Sequence, residues 1–558
     1  MIRFKNILPY FSLALLINTG CKKQLDMAPL DKVSDASYWK KPSDFQLFAN
    51  DFYNGLQGAH NYTENNSDIA FGIGTDPVTG ADNRSKSNGS YLPAANSPVW
   101  DNSYKYIRAA NYLLQKSEGS DLGSQIDRWV GEALFFRAYN YWNLVVNFGG
   151  VPKIDKVLDV TSAELYTPRS SQAAIIDFIM EDLDKAIAKL PVQSALTGDE
   201  LGRVTKGAAQ ALKARAALYE GTWAKYHSQG DPSKYLTAAI DAAQAVIASN
   251  EYALYTGSGA QSYKYLFILQ GDDSKEVILA KRYYAQRATH NWTRELWFNY
   301  MVPTKTLADM YLATDGLPIS KSPQFQGYAT LTSEFQNRDP RMSMTFVVPG
   351  STIFFEGGIM QPTYPGFNGS NATRTGYMIR KFLDETIDAT QFRGEYDFKE
   401  FRYAEVLLIL AEALYEKNGA ISDADLNRTI NVIRSRAGMP ALTNAFVTAN
   451  GLNMLDEIRR ERTVELAFEG FRREDLRRWK TAETLMPQAI KGVKFVGTEY
   501  QTRYPSLQVG TDIQVDANGF IVAEPAASRT FQTKHYLDPI PLQQIQLSKG
   551  TLTQNPGW

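Results

Sequence analysis

The chain of 558 residues carries 59 Lys and Arg against 60 Asp and Glu, a net charge of −1. This argues against nucleic acid as a partner, because phosphate binding needs a basic surplus. A single cysteine excludes an intramolecular disulfide and any zinc or iron–sulfur site built on several thiolates. The length allows three or four domains or one large fold, and the 12% aromatic content, with 31 Tyr and 9 Trp, calls for an explanation.

Arg3 and Lys5 precede an apolar run from Ile7 to Ile17, and Asn18, Thr19 and Gly20 lead to Cys21. A basic start, a short apolar stretch and small residues describe a secretory signal over residues 1–20, too short to span a bilayer. Cys21 after a small Gly resembles the lipidation box of bacterial lipoproteins, with Asn18 where Leu is usual. Acylation there would make Cys21 the mature N-terminus and residues 21–36 a polar tether. It would also take the net charge to −3, since residues 1–20 hold two basic and no acidic side chains. Two or three acyl chains at about 0.8 kcal/mol per buried CH₂ would anchor the body durably.

From residue 37 onward the pattern is helical. Trp100, Tyr104, Ile107, Asn111 and Leu114 share one helical face. Ile126–Phe148 ends at Gly149-Gly150, and a stripe from Ile175 to Leu190 stops at Pro191. Val204–Trp223 and Tyr235–Asn250 are Ala-rich, Phe398–Lys417 and Asp423–Ala437 form another pair, and a charged helix is expected over Leu452–Glu469. The expected fold is mostly α, built of tetratricopeptide-like helix pairs, although no clean repeat of about 34 residues is found. Large irregular loops interrupt it at about 61–100, 257–300 and 349–376, and a hairpin is expected at Ile513–Val522.

No HExxH, P-loop, GxSxG or dinucleotide-binding fingerprint occurs, and the four histidines lie far apart. The densest charge cluster runs from Glu457 to Arg478. Asp456–Arg460, Glu469–Arg473 and Glu474–Arg478 have i,i+4 spacing, worth about 0.2–0.5 kcal/mol each on a helix. A carboxylate pair flanking a glycosidic bond is the catalytic alternative, but so many arginines would keep these acids ionised, which is wrong for a general acid. The cluster therefore reads as a structural ion network.

Aromatics in the loops carry the binding chemistry. A flat ring covers the apolar face of a sugar while Asp, Asn or Arg bonds its hydroxyls. Trp100, Trp292, Trp297 and Tyr364 are the candidate rings, with Tyr91, Tyr300 and Phe367 beside them. Asp76, Asp82, Asn83, Arg84 and Asn102 are the candidate polar partners. Pinning the loops to the helices is the competing role for each ring, most of all for Trp100 with its helical spacing.

Several segments resemble the RagB/SusD family. They are Glu132–Tyr139 with Phe148-Gly149-Gly150-Val151-Pro152, Gly202–Ala209, Arg402–Leu408 and the end from Pro539-Ile540-Pro541 to Gln554–Trp558. The most specific are Arg459-Arg460-Glu461-Arg462, Glu465–Gly470 and Asp475-Leu476-Arg477-Arg478-Trp479; Gln544 stands where an acid is more usual. The resemblance implies a lipid-anchored protein of a Gram-negative outer membrane, facing the cell surface, with no catalytic residue, cofactor or metal. It implies capture of oligosaccharide, or of peptide in some members, for a SusC-like TonB-dependent transporter. It carries the binding function onto regions only, about 68–102, 283–300 and 354–377. A surface glycoside hydrolase is the alternative from another class.

Overall fold

The computed structural model describes residues 35, 38–58, 67–72, 84–285, 287–369, 372–388 and 393–558. The expected signal, Cys21, His60, Asp76, Asp82 and Asn83 lie outside them.

Five long helices form the first half: α1 (Pro98–Glu118), α2 (Asp127–Phe148), α3 (Gln172–Lys189), α4 (Lys206–His227) and α5 (Pro232–Ala248). Local chemistry sets their ends. Ser97, Ser171, Thr205 and Asp231 each accept a hydrogen bond from a first-turn N–H, and Pro98 and Pro232 occupy the first helical position. Gly149, at φ 71°, closes α2, and its N–H bonds the Val145 carbonyl. Leu190 turns extended ahead of Pro191.

Each helix packs on the next, and α5 packs in turn on α6 (Tyr403–Asn418). Small residues permit the close approach: a Cβ at Gly221 of α4 would stand 2.9 Å from the Leu236 side chain of α5. The shared core runs from Phe45 through Phe135, Ile179, Leu212 and Val246 to Leu410.

The second half is stapled by two-stranded antiparallel ribbons. β1 (Ala70–Gly72) pairs with β3 (Met301–Pro303), and β2 (Val277–Lys281) with β6 (Phe398–Arg402). β4 (Thr352–Glu356) pairs with β5 (Ile359–Pro362), and β7 (Ile490–Lys494) with β8 (Phe520–Glu524). A separate core of Trp292, Tyr311, Phe346, Tyr377 and Phe495 fills the space beneath them.

Helix ends shift by up to four residues, as where Val204–Trp223 becomes Lys206–His227, and four elements differ further from the sequence reading. The helix expected from Phe398 starts at Tyr403, because residues 398–402 are drawn into a fully buried strand against β2. Asp423–Ala437 splits at Arg428–Thr429 into Asp423–Asn427 and Ile430–Ala437. The charged helix is α7 (Met454–Glu465), followed by a turn with Phe468 at φ 63° and then α8 (Arg472–Arg478). The turn expected around Asp516–Gly519 forms, with Gly519 at φ 82°, but its outgoing strand takes β7 as ladder partner and keeps only the Val515–Ile521 bridge.

The ion network is structural, but it is not made of the expected helical pairs. Glu469 accepts from Arg402 (2.6 Å) and Lys381 (2.7 Å), while Arg473 and Arg478 reach Asp538 and Glu412. Arg460 pairs with Glu457 instead of Asp456. The break after Glu465 takes Glu469 out of the helix, whereas Asp456–Arg460 and Glu474–Arg478 each lie within one helix and their arginines take other partners. A buried carboxylate must then be fully partnered from other elements. Glu465 meets Arg402 (2.7 Å), Arg436 (2.5 Å) and Arg341 (2.9 Å), joining α7 to β6 and to the short helices Ile430–Ala437 and Pro340–Thr345.

Candidate functional site

The three irregular segments converge by backbone bonds. β1–β3 pairing sets residues 70–72 beside 301–303, and the Thr304 hydroxyl donates to the Asp68 carbonyl at 2.7 Å. Thr375 donates to the Pro303 carbonyl at 2.8 Å, bringing in the loop beyond β5. Trp297 packs on Val347, Ile353 and Phe354 beside the β4–β5 hairpin. Tyr504 donates to the Pro365 carbonyl at 2.6 Å, which ties the same loop to residues 499–504.

The candidate residues divide between the two halves. Trp100 is 4% exposed and packs on Tyr104 and Phe148 in the helical core; Asn102, two residues on, is exposed. Arg84 is exposed at the start of the short helix Ser85–Asn88. That helix runs against the C-terminal segment, where Thr530 N–H donates to the Ser87 carbonyl. Trp292 is 1% exposed, sealed against Phe382. The expectation that Trp100 and Trp292 offer a face to a ligand is therefore corrected: both rings sit on the inner side of their helices, where apolar burial holds them. Trp297 is half-buried, and Tyr364 is 38% exposed, with the Arg503 guanidinium 3.5 Å from its ring centre.

Sequence reasoning missed three partners. Arg503 lies far along the chain from Tyr364, so its stacking has no local signal. Arg294 covers the Phe298 ring at 4.6 Å, an i,i+4 spacing that was legible. Tyr284, 52% exposed beside Arg282, lies inside an expected loop but was not singled out. Half-open rings backed by guanidinium groups suit stacking of a flat, uncharged ligand face, with N–H donors at the edge for hydroxyls.

The described histidines are engaged in packing. His227 stacks on Trp223 at 3.9 Å, His290 accepts from the Trp292 N–H, and His535 accepts from the Gln532 N–H. Among the described residues, no group of three or more His, Cys, Asp or Glu is arranged to hold a metal ion.

Carboxyl titration separates two classes. Burial alone would raise Glu465, Glu461 and Glu469, but their arginine partners outweigh it and hold all three below the ordinary carboxylate range. Glu412 falls to about 2 in the same way, chiefly through Arg478. Glu334 goes the other way, pushed up to about 7 by burial; the Tyr377 hydroxyl is shared between its two oxygens, and the group is enclosed.

A family model described as the SusD family matches residues 246–558, and one described as starch-binding associating with outer membrane matches residues 30–218. Two SusD-like proteins of Formosa agariphila are each 24% identical. One alignment covers 87% of this chain and 94% of the relative, the other 84% and 90%. A SusD-like carbohydrate-binding protein of Bacteroides fragilis superposes with a TM-score of 0.75 at 26% identity, covering 91% of this chain and 98% of that one. A second SusD-like protein of that species gives 0.75 at 26% identity, over 95% and 100%.

Proposed function

The chain belongs to the SusD family, and from that premise we propose that it is a non-catalytic surface protein that captures oligosaccharide by aromatic stacking and passes it to a SusC-like TonB-dependent transporter. Residues 37–558 act as one scaffold, and Cys21 carries the acyl anchor that keeps it at the outer membrane, facing the cell surface. The match to a family described as starch-binding and associated with the outer membrane supports the location. The likeness to a SusD-like carbohydrate-binding protein of Bacteroides fragilis supports the cargo.

The observation that carries the site assignment is the convergence of Trp297 and the Arg503-backed Tyr364 on one set of stapled loops. These two rings are the proposed stacking platforms, with Phe298 under Arg294 beside Trp297. Covering one ring is worth roughly 1.5–3 kcal/mol. Two or three such contacts, less the ordering cost, give millimolar to tens-of-micromolar binding, a range that allows release to a transporter.

The test is native electrophoresis of the purified protein through gels loaded with a panel of polysaccharides, followed by mass analysis of oligosaccharides incubated with it. Retardation by at least one polysaccharide with product masses unchanged is expected. Shortened chains, lost on substitution of a single carboxylate, would establish a hydrolase instead.

A further inference from the structure

A second cleft lies away from the loops just described, between the short helix Ser85–Asn88, α8 and the C-terminal segment. It is partly open to solvent and is lined by Lys86, Tyr91, Arg473, Arg477, Asp538 and Trp558. One wall is cationic. Asp538 accepts from Lys86 (2.8 Å) and from Arg473 (2.8 Å), and Arg477 stands 3.5 Å from it. Three positive side chains thus share one carboxylate. Glu474 also acts on Arg473 and Arg477, but burial pushes its carboxyl up to about 7, leaving much of their charge uncompensated near neutral pH.

Two further features suit an anionic ligand. Arg477 is 2% exposed, and its Nε has no hydrogen-bond partner among the described residues, although Nη1 donates to the Val146 carbonyl and Nη2 to the His535 carbonyl (3.3 Å). Burial and the nearby Arg473 also depress Lys86 to about 8, in spite of its contact with Asp538. A buried guanidinium N–H without a partner is costly, and an incoming anion would satisfy it.

The facing wall is aromatic and held in place. The Trp558 indole donates to the carbonyls of Lys534 and Leu537, both at 3.0 Å. Tyr91 meets it edge-on at 5.8 Å, and Lys534 lies 4.5 Å above it. A ring fixed by two hydrogen bonds and still partly open binds without an ordering cost of its own.

We propose that this cleft binds an acidic sugar, its carboxylate or sulfate seated against Lys86 and Arg477 and its ring lying along Trp558 and Tyr91. The inference rests on the reading of the chain as a glycan-capture protein and adds that the cargo carries negative charge. The stacking wall opposite the cationic one favours a sugar over a free inorganic anion.

Calorimetry with the full chain tests it, using digalacturonate, a sulfated galactan oligosaccharide, neutral galactobiose, sodium sulfate and an acidic peptide as probes. The acidic saccharides should bind at least tenfold tighter than galactobiose, and raising NaCl from 50 to 200 mM should weaken them severalfold. Lys86→Gln and Trp558→Ala should each lower that affinity about tenfold with Tm unchanged, and Lys86→Arg should restore most of the loss. If Trp558→Ala fails to fold, Tyr91→Ala replaces it. Saccharide binding indifferent to charge and to Lys86 overturns the acidic-sugar assignment and leaves the capture reading standing. Binding of neither acidic saccharide overturns the acidic-sugar assignment, and the polysaccharide panel decides the capture reading separately. Binding of sulfate alone, or of the peptide alone, overturns the sugar assignment.

Discussion

The helices from Pro98 to Ala248 and the irregular stretch from Gly257 to Arg402 both bury polar groups, but by opposite means. The helices satisfy their backbone internally and are closed by neighbours in sequence, such as Ser171 on Ala174 and Thr205 on Ala208. The irregular stretch relies on partners 43 to 124 residues away. Arg341 and Arg402 reach carboxylates on α7, and Tyr377 reaches Glu334. Local substitutions should therefore act mildly in the first region and globally in the second.

The largest effect is expected at Glu465. Glu465→Ala leaves Arg402, Arg436 and Arg341 short of a carboxylate that all three share, at a cost of about 3–5 kcal/mol. Urea unfolding followed by fluorescence measures it, and a loss below 1 kcal/mol would dissolve the contrast between the regions. In the helical half, Gly221→Val should cost about 1–3 kcal/mol, because its Cβ meets Leu236 and α5 must shift. Ser171→Ala, which removes one cap, should cost about 1 kcal/mol by the same assay.

The pH profile sharpens the contrast. The carboxyls of Glu461, Glu465, Glu469 and Glu412 titrate lower in the folded chain than in the unfolded one, where Glu sits at about 4.3. Their stabilisation is complete above that value and is lost as pH falls through the folded values. Glu334 and Glu474, raised to about 7, act in the opposite sense, so stability should rise as pH drops from 8 toward 5. The urea midpoint should then peak in mildly acidic solution and collapse below about pH 4. Glu465→Ala should flatten the acid limb, and an unchanged limb would remove the network from the explanation.

The same contrast explains what the sequence made legible. The 3.6-residue stripes, the caps and Gly149 are local signals, so α2 stands within one residue of both its expected ends and α3 stops one residue before its expected end. Phe398–Arg402 reads as helix locally and becomes strand only because β2 lies beside it. The buried rings were misread for a related reason. Trp292 and Trp297 lie in one short helix and both read as loop aromatics, yet the inner face of that helix seals one ring and leaves the other half-open. Trp100 carried its answer in its spacing. Arg503 over Tyr364, and Lys86 with Arg477 around Asp538, join segments that no pattern along the chain connects.

Capture of the cargo depends most on stacking at the stapled loops. Calorimetric titration of the wild type and the Trp297→Ala, Tyr364→Ala double variant with the polysaccharide that retards the protein in gels tests it directly. A loss of affinity of about tenfold or more with Tm unchanged is expected, since each ring contributes roughly 1.5 kcal/mol or more. Equal affinity in a correctly folded double variant would contradict it.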